Sequence, residues 1–505
     1  MKRARHSSPF RSNRGSVLLL CLVFAAGIAV CIGSFIQLSQ TASKLSYRTL
    51  YAGVAMNAAE VGLERAMWSI NRAMTDSAAG WNGWTFDATN STAKRSFDFG
   101  TIVGGATVTV KVFAKEKTAT SAPLIVTRAI IQPPQGAAVE KWVQVDLTQR
   151  SLFTTGGVGI FGFTFSGNNA SVGSWDSDPD NDPNTPPIPW SSTVNNDAGS
   201  IAAVEITATI NVNNADVYGT AAVGSSSTSN INVGPNGLVG PFGTASGTKD
   251  PDSISGDFTA DLPVLSAPES TAEVPITYNY VGSVSSDITF PVNLTDPSTT
   301  VAGVKTYYYE ASDISLTNKV LTVTEGYNVV VHITTTATAL KVGGGSGAIK
   351  VKSVQDPITG IISTGTLKIY TPGNVAVAGN GIANEISKTI GAVTTTTMQQ
   401  PASFMLYGTR STSLSAQSIS VAGNGKFSGV IYAPNGDISA NGGGSTNGGV
   451  YGAMIGRTIK LTGNEGFYYD ESLGRMDGDS PYGIDKWTER VSYADRALWA
   501  DELNF

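Results

Sequence analysis

The sequence predicts a mainly β protein that begins with one long apolar α-helix. Three observations lead to this fold class: an apolar run from Val17 to Ile36, period-two strands in the next hundred residues, and short strands that end in similar small turns. The expected order is an N-terminal transmembrane α-helix with a helical stalk, then a small antiparallel sheet, then a parallel β-helix (solenoid).

The first forty residues have the charge pattern of a membrane anchor. The apolar run is broken only by Ser34, and no charged residue follows it until Lys44. About 20 apolar residues can span a bilayer as a helix, and cations at one end hold that end in the cytoplasm. Five cations precede the run: Lys2, Arg3, Arg5, Arg11 and Arg14. We therefore expect a single-pass protein of the cytoplasmic membrane, with the lipid bilayer as a partner and an extracytoplasmic body that is exposed on the cell surface.

The pair Gly15-Ser16 lies before the apolar run, directly after Arg14. A cleavable secretory signal would instead end its apolar core at a small-residue cleavage site. The arrangement resembles the prepilin-type leader, which is cut after a glycine on the cytoplasmic side and leaves the helix on the mature protein. The resemblance implies cleavage between Gly15 and Ser16. Pilins usually carry glutamate at the fifth residue after the cut, where this chain has Leu20.

The helix is predicted to continue from Ser16 to about Met74, because apolar residues recur at spacings of three and four and no proline interrupts them. The residues on this face are Met56, Ala59, Leu63, Ala66 and Ile70.

The segment Asn57–Ala66 resembles the end of the helix in the PilX N-terminal family, minor-pilin-like proteins of type IV pilus assembly. The residues that carry the resemblance are Ala59, Glu60, Gly62, Leu63 and Glu64. It implies pilin or pseudopilin subunits and their assembly machinery as partners. A plain single-span anchor with a helical stalk is the alternative.

Three alternating strands follow the helix and predict a small antiparallel sheet, as in the head of a pilin. They are Thr107–Phe113, Leu124–Ile131 and Val139–Leu147. The predicted organisation is a basic leader (1–15), the transmembrane helix and stalk (16–75), a small pilin-like sheet domain (76–152), the β-helix (153–475) and a C-terminal segment (476–505). In that last segment we expect a short helix, Trp487–Phe505, that caps the solenoid or docks a partner.

The solenoid is predicted from recurring strand ends with the pattern apolar-small-Gly-Asn. Glycine and asparagine tolerate the left-handed backbone of tight corners, and returns of roughly 20 residues suit stacked coils. The recurring ends are Phe165–Asn168, Val377–Asn380, Val421–Asn424, Ile438–Asn441 and Leu461–Asn464. An ordinary β-sandwich with similar turns is the alternative. The block Phe427–Leu473 is similar to an uncharacterised C-terminal β-helical domain that follows PilX-like N termini in bacterial envelope proteins.

Composition argues against several classes of function. The 505 residues are only 14% charged, carry a net charge of -6 and include 2 histidines, so nucleic-acid binding and histidine-based chemistry have little support. His332 lies in an apolar strand and is expected to be a structural residue. Cys21 and Cys31 are ten residues apart in the apolar run, too far along a helix for a disulfide within the chain.

Two motifs suggest ligands. Asp176, Asp178, Asp180 and Asp182 place carboxylates at alternate positions, as calcium loops do, although the bidentate glutamate of an EF-hand is missing. Calcium is the one cofactor that the sequence raises. The run Gly157–Gly162 matches a dinucleotide fingerprint in letters, but no helix pattern follows it, so we discard that interpretation.

The predicted function is structural rather than enzymatic: a type IV pilus minor pilin or assembly protein with its β-helix as an adhesive or binding module, for which a surface glycan is a suitable ligand. The alternative is a membrane-tethered protein that binds or cleaves polysaccharide. Such an enzyme would need an acid and base pair in a groove. The charged residues available in the repetitive block are Asp437, Arg457, Lys460, Asp470 and Glu471.

Overall fold

The computed structural model describes residues 14–73, 80–102, 104–116, 122–149, 151–167, 170–182, 185–191, 196–270, 275–301, 304–423, 426–442, 449–463, 466–476 and 482–505. The chain divides into two compact units: Met1–Gln149 together with Pro481–Phe505, and Arg150–Ser480.

The first unit is built on one helix, α1 (Arg14–Ala73), which confirms the predicted continuous helix and its end. One face of its C-terminal third is buried against a sheet, and that face carries the predicted residues Ala59, Leu63, Ala66 and Ile70, with Met56 partly buried beside them. Tyr51 and Ala55 extend the buried face by one more turn toward the N-terminus. The small residues Ala55, Ala59 and Ala66 let the helix axis approach the sheet closely.

The part of the first unit that the structure describes has a sheet of six antiparallel strands, and each strand is hydrogen-bonded to the next one in chain order. The strands are Thr85–Asp87, Thr92–Thr101, Thr107–Lys115, Leu124–Gln132, Val139–Gln149 and Tyr482–Glu489. The three predicted strands are confirmed. Alternate valines, Val108, Val110 and Val112, face the helix, because successive side chains of a strand point to opposite faces.

The C-terminal segment belongs to the first unit, whereas the sequence predicted a short helix, Trp487–Phe505, that caps the solenoid. Strand Tyr482–Glu489 pairs with Val139–Gln149, so that Trp487 lies in an edge strand and not in a helix. Two short helices follow, Tyr493–Ala497 and Ala500–Leu503. Leu503 is buried on the sheet face away from α1, together with Phe113, Val126 and Trp142.

In its described residues, the second unit is one sheet of 28 strands, most of them paired in parallel. A first group of ten comprises Gly157–Gly159, Gly162–Ser166, Ser171–Trp175, Gly199–Ala203, Thr209–Asn213, Asp216–Val223, Ile231–Val233, Leu238–Gly240, Thr248–Lys249 and Ile254–Ser255. A second group of eighteen comprises Asn279–Val284, Ile288–Phe290, Ser298–Val301, Val304–Thr317, Val320–Val323, Tyr327–Ile333, Thr338–Gly343, Ala348–Gln355, Ile362–Ser363, Thr366–Thr371, Asn374–Val377, Gly381–Ile390, Val393–Met398, Phe404–Gly408, Gln417–Gly423, Lys426–Gly442, Gly449–Thr462 and Gly466–Asp470. Short 3-10 helices also occur at Thr228–Asn230, Pro251–Ser253, Pro401–Ser403 and Glu471–Arg475.

The order of the parallel strands does not follow the sequence from one end to the other. Strand Gly162–Ser166 lies between Thr209–Asn213 of the first group and Gly449–Thr462, near the end of the second group. Gly466–Asp470 likewise pairs with Ser171–Trp175. The last strands therefore close onto the first, whereas a simple solenoid would stack them in sequence order.

Rows of apolar residues in matching register form the core of this unit. One row is Ile314, Leu340, Val375, Ile419, Ile438, Ile459, Phe163, Ile210 and Ile231, each beside the next on paired parallel strands. All nine side chains belong to one buried cluster.

Most of the predicted strand ends share one register. Val377 pairs with Val421, and Leu461 pairs with Phe165, two residues beyond the row just described. The predicted strand end Ile438–Asn441 is two residues out of this register, because Val421 pairs with Ala440 and not with Ile438. Asn380 lies in a turn, and Asn168, Asn424 and Asn464 fall outside the described residues. The mainly β fold with an N-terminal apolar helix and an antiparallel sheet is thus confirmed.

Candidate functional site

The apolar half of α1 is exposed at every residue from Leu18 to Leu50. Leu18 is 73% exposed and Phe35 is 72% exposed. A helix of this length and composition can cross a membrane, and it is the one such helix in the described part of the chain. Apolar surface costs about 25 cal/mol per Å² when it faces water, so this half requires lipid or other helices around it.

Gly15 and Ser16 both lie inside α1, which begins at Arg14. The cleavage predicted between them stays a prediction. Leu20, at the position where a pilin carries glutamate, is 56% exposed on the apolar half. Cys21 and Cys31 are free and exposed, as expected for residues without a disulfide within the chain.

Some of the α1 residues that carry the PilX resemblance pack against the sheet, and others lie on the surface. Ala59 and Leu63 are buried against the sheet, whereas Glu60 and Glu64 are exposed. Gly62 faces the strand Thr107–Lys115, where an added Cβ would lie 2.7 Å from Val110 Cγ1. Glycine is therefore the residue that permits this close approach of helix and sheet.

The four aspartates of the predicted calcium loop do not converge. Asp176 accepts two hydrogen bonds from the guanidinium of Arg475, at 2.9 and 2.7 Å, and Asp178 accepts one from Gln400. The backbone N–H of Asp182 bonds the Asp180 carboxylate and holds the pKa of that exposed group below its usual value. Within the described ranges, no three acidic, histidine or cysteine side chains are grouped as a metal site would require.

Asp470 is a buried ionisable group of the second unit. Its carboxylate is fully buried and accepts hydrogen bonds from the N–H and hydroxyl of Ser177 and from the N–H of Ser472. Burial raises the pKa of Asp470 to about 6, because the hydrogen bonds only partly offset the loss of water. These hydrogen bonds join the end of strand Gly466–Asp470 to the loop after strand Ser171–Trp175.

The charged residues considered for catalysis fall into two sets. Arg457 donates to both oxygens of Asp437, at 3.0 and 3.1 Å, and the hydroxyl of Thr458 donates to the same carboxylate. Asp470 has the serine partners just described, and Glu471 accepts from Ser174 and Asn196. Among the described residues, no hydrogen bond joins the Asp437 set to the set of Asp470 and Glu471. Lys460 is exposed, and it lies opposite Ser439 and Thr164 on the two neighbouring parallel strands.

A connecting segment, the strap (residues 258–270 and 275–278), joins the two groups of strands in the second unit. Phe258, Leu262 and Leu265 pack on outward-facing side chains of the parallel strands. The hydroxyl of Tyr432 donates to Pro263 O at 2.6 Å, and that of Tyr278 donates to Pro268 O at 2.8 Å. His332 lies in strand Tyr327–Ile333, as predicted, with its ring 6.0 Å from that of Tyr278.

Residues 267–476 match the model of a family described as "Domain of unknown function (DUF7305)". This match covers less than half of the 505 residues and includes the block Phe427–Leu473, for which an uncharacterised domain was expected. No curated protein matches the chain.

Two chains of solved structures match it, and one of them is from the crystal structure of the competence-associated pilin ComZ from Thermus thermophilus. That match has 11% identity, covers 87% of this chain and 97% of the other, and has a TM-score of 0.25. A score this low does not establish a shared fold.

Sequence reasoning missed two features with exposed aromatic or polar side chains. In the first unit, Trp68, Trp84, Arg95 and Phe99 help to line a cavity of about 260 Å³. In the second unit, a larger cavity lies under the strap. The clustered aromatic residues between Trp81 and Phe99 are a signal that could have indicated the first, whereas the second depends on contacts between segments far apart in sequence.

Proposed function

We propose that this chain is a membrane-anchored, pilus-associated structural protein, with the apolar half of α1 in the cytoplasmic membrane and the β units outside the cytoplasm. The observation that carries this proposal is the division of α1. One unbroken helix has an apolar half that is exposed throughout and a C-terminal part that packs against one face of an antiparallel sheet. This is the plan of a pilin, and the exposed half has the length to span a bilayer.

The contacts of the motif residues support a likeness to the PilX N-terminal family. Ala59, Gly62 and Leu63 have packing roles against the sheet, whereas Glu60 and Glu64 remain available at the surface. Assembly with pilin or pseudopilin subunits is the partner interaction that this arrangement favours.

Leu20 favours an accessory role over that of the main filament subunit. A charged residue within the bilayer is costly unless it is paired, so a leucine lets this span remain in lipid without a partner. Quantification of the chain in sheared pili should therefore find it as a small fraction of the total subunits.

We infer that the parallel strands of the second unit form a β-helix that acts as a binding module. The matching rows of apolar residues support stacked coils, and the strap covers one outward side. We propose a structural and not a catalytic role for it, since the ionisable residues considered for catalysis are engaged in local pairs. Release of oligosaccharide from bacterial surface glycans by the purified protein would contradict this.

Photo-crosslinking within piliated cells tests the central proposal. Phe35 on the apolar half of α1 and Phe242 in the second unit are both well exposed, at 72% and 79%. Each is replaced in turn by benzoylphenylalanine. We expect Phe35 to yield adducts with pilin helices and Phe242 to yield none. Membrane-anchored protein that gives no pilin adduct from Phe35 would show a plain single-span anchor.

A further inference from the structure

A cavity of about 710 Å³ lies between the strap and the outward side of the parallel strands. The strap contributes Val264–Ser270, Ile276 and Tyr278, and the strands and their loops contribute Glu310, His332 and Thr409. Sites for small ligands in proteins have volumes of about 300–1,000 Å³. The cavity is therefore large enough for a ring-sized molecule.

Two carboxylates line this cavity, and His332 and Tyr278 are the other ionisable side chains among its lining residues. Glu269 and Glu310 are among the residues that line it, and no lysine or arginine of the described chain is. The nearby Arg410 directs its guanidinium to backbone carbonyls, including those of Pro372 and Thr336, rather than to either carboxylate. Two carboxylates in a cleft attract a cationic ligand.

Tyr278 gives the cavity an aromatic wall. Its hydroxyl is held by Pro268 O at 2.8 Å, which fixes the ring beside His332. Burial, together with nearby groups that include Glu310 and Glu269, raises the pKa of Tyr278 to about 12, so the phenol keeps its proton at neutral pH. A fixed tyrosine ring can pack against the apolar face of a ligand and can attract a cation.

Hydroxyl side chains complete the lining on both sides. Ser266 and Ser270 belong to the strap, and Thr409, Ser411 and Thr412 lie in the loop after strand Phe404–Gly408. Each hydroxyl can donate one hydrogen bond and accept others. A ligand that matches this surface has hydroxyl groups as well as a positive charge.

We propose that this cavity binds an amino sugar, a hydroxyl-rich ring with a primary ammonium group. The ammonium group lies near Glu269 and Glu310, the ring packs on Tyr278, and the sugar hydroxyls face the serine and threonine side chains. This deepens the binding role proposed for the second unit and rests on it, but it does not depend on how α1 is anchored.

The test uses the full-length protein in detergent micelles and a matched pair of probes. Glucosamine and N-acetylglucosamine share a ring and hydroxyls, but only glucosamine carries a charge, and its amine is protonated at about pH 6.5. Isothermal titration calorimetry should show glucosamine binding roughly tenfold more tightly, because the acetylated sugar cannot form charge-assisted hydrogen bonds. Absence of glucosamine binding, or equal affinity for both sugars, would overturn the proposal.

Variants then locate the site. Glu310→Gln and Glu269→Gln should each weaken glucosamine binding by roughly fivefold and leave the binding of N-acetylglucosamine unchanged. Glu385→Gln is the control, because Glu385 is an exposed carboxylate on strand Gly381–Ile390 and does not line the cavity. Wild-type affinity in both test variants would place the binding elsewhere. Protein that crosslinks to pilins through Phe35 but binds neither sugar would refute this inference alone.

Discussion

Phe165 and Leu461 lie beside each other on hydrogen-bonded parallel strands, although one is near the start and the other near the end of the second unit. Both side chains are buried in the same apolar cluster, at 0% and 5% exposure. The stability of this unit therefore depends on a junction between the two groups of strands.

Leu461→Ala should weaken that junction. Truncation of a buried leucine typically costs about 2–5 kcal/mol, whereas Ser439→Ala, on an outward position of the neighbouring strand, should cost within about 0.5 kcal/mol. Urea unfolding of the full-length protein in detergent, followed by tryptophan fluorescence, measures both. Equal unfolding midpoints for the two variants would mean that the paired residues in the row of Val421 and Leu461 do not form a packed core.

The buried Asp470 should make stability depend on pH. Its pKa is raised from 3.8 to about 6 by burial, so the folded state holds the proton more tightly than the unfolded state does. The stabilising contribution is complete below about pH 4 and is lost as pH rises through about 6, a change of about 1–3 kcal/mol.

Asp470→Asn should remove this part of the pH dependence, because the amide can keep the hydrogen bonds from Ser177 and Ser472 without a charge. Unfolding free energies at several values between pH 4 and 7 measure the difference between wild type and variant. Glu471→Gln, which removes a neighbouring carboxylate, serves as the control. A difference between wild type and Asp470→Asn that does not change with pH would contradict the prediction.

Gly62→Ala should destabilise the first unit. The added methyl would lie 2.7 Å from Val110 Cγ1, and overpacking of this kind typically costs about 1–3 kcal/mol. Gly53→Ala is the matched control, since no atom lies within 4 Å of its Cβ position, and it should stabilise the helix by about 0.5–1 kcal/mol. Thermal unfolding monitored by circular dichroism compares them, and identical melting temperatures would argue against close packing at Gly62.

Gly15→Leu should leave the basic leader attached in a cell that contains a prepilin peptidase, whereas the wild-type chain should begin at Ser16. Gly27→Leu adds the same bulk to the apolar half, where its Cβ meets no atom within 4 Å, and should be processed normally. Intact-mass spectrometry distinguishes the forms. Wild-type protein that retains Met1 would indicate an uncleaved anchor.

Local sequence patterns predicted the features of the fold that depend on residues close together in the chain. The face of α1 that carries Ala59 and Leu63 follows from helical spacing, and strand Leu124–Gln132 follows from alternation. The shared register of Val377 and Val421 followed from a repeated strand end. In each case the physical cause of burial lies within a few residues of the pattern.

The rest depends on partners that are distant in sequence. The residues of strand Tyr482–Glu489 do not alternate between apolar and polar, and its pairing with Val139–Gln149 is what makes it a strand. Asp470 looks like a rim residue beside Glu471, and its burial is due to Ser177. The cavity under the strap likewise depends on Glu269 and Glu310, from different segments of the chain, lining one space.

The placement of the final strands determines when each unit can be completed during synthesis. Until Tyr482–Glu489 emerges from the ribosome, Val139–Gln149 presents an unpaired edge, and until Gly449–Thr462 emerges, Gly162–Ser166 lacks one of its two neighbours. Unpaired edges of this kind favour association between chains, and contacts over such distances form slowly. A nascent chain that stalls before Gly449 would therefore carry two unpaired strand edges. Such chains must be kept from associating with one another until synthesis is complete.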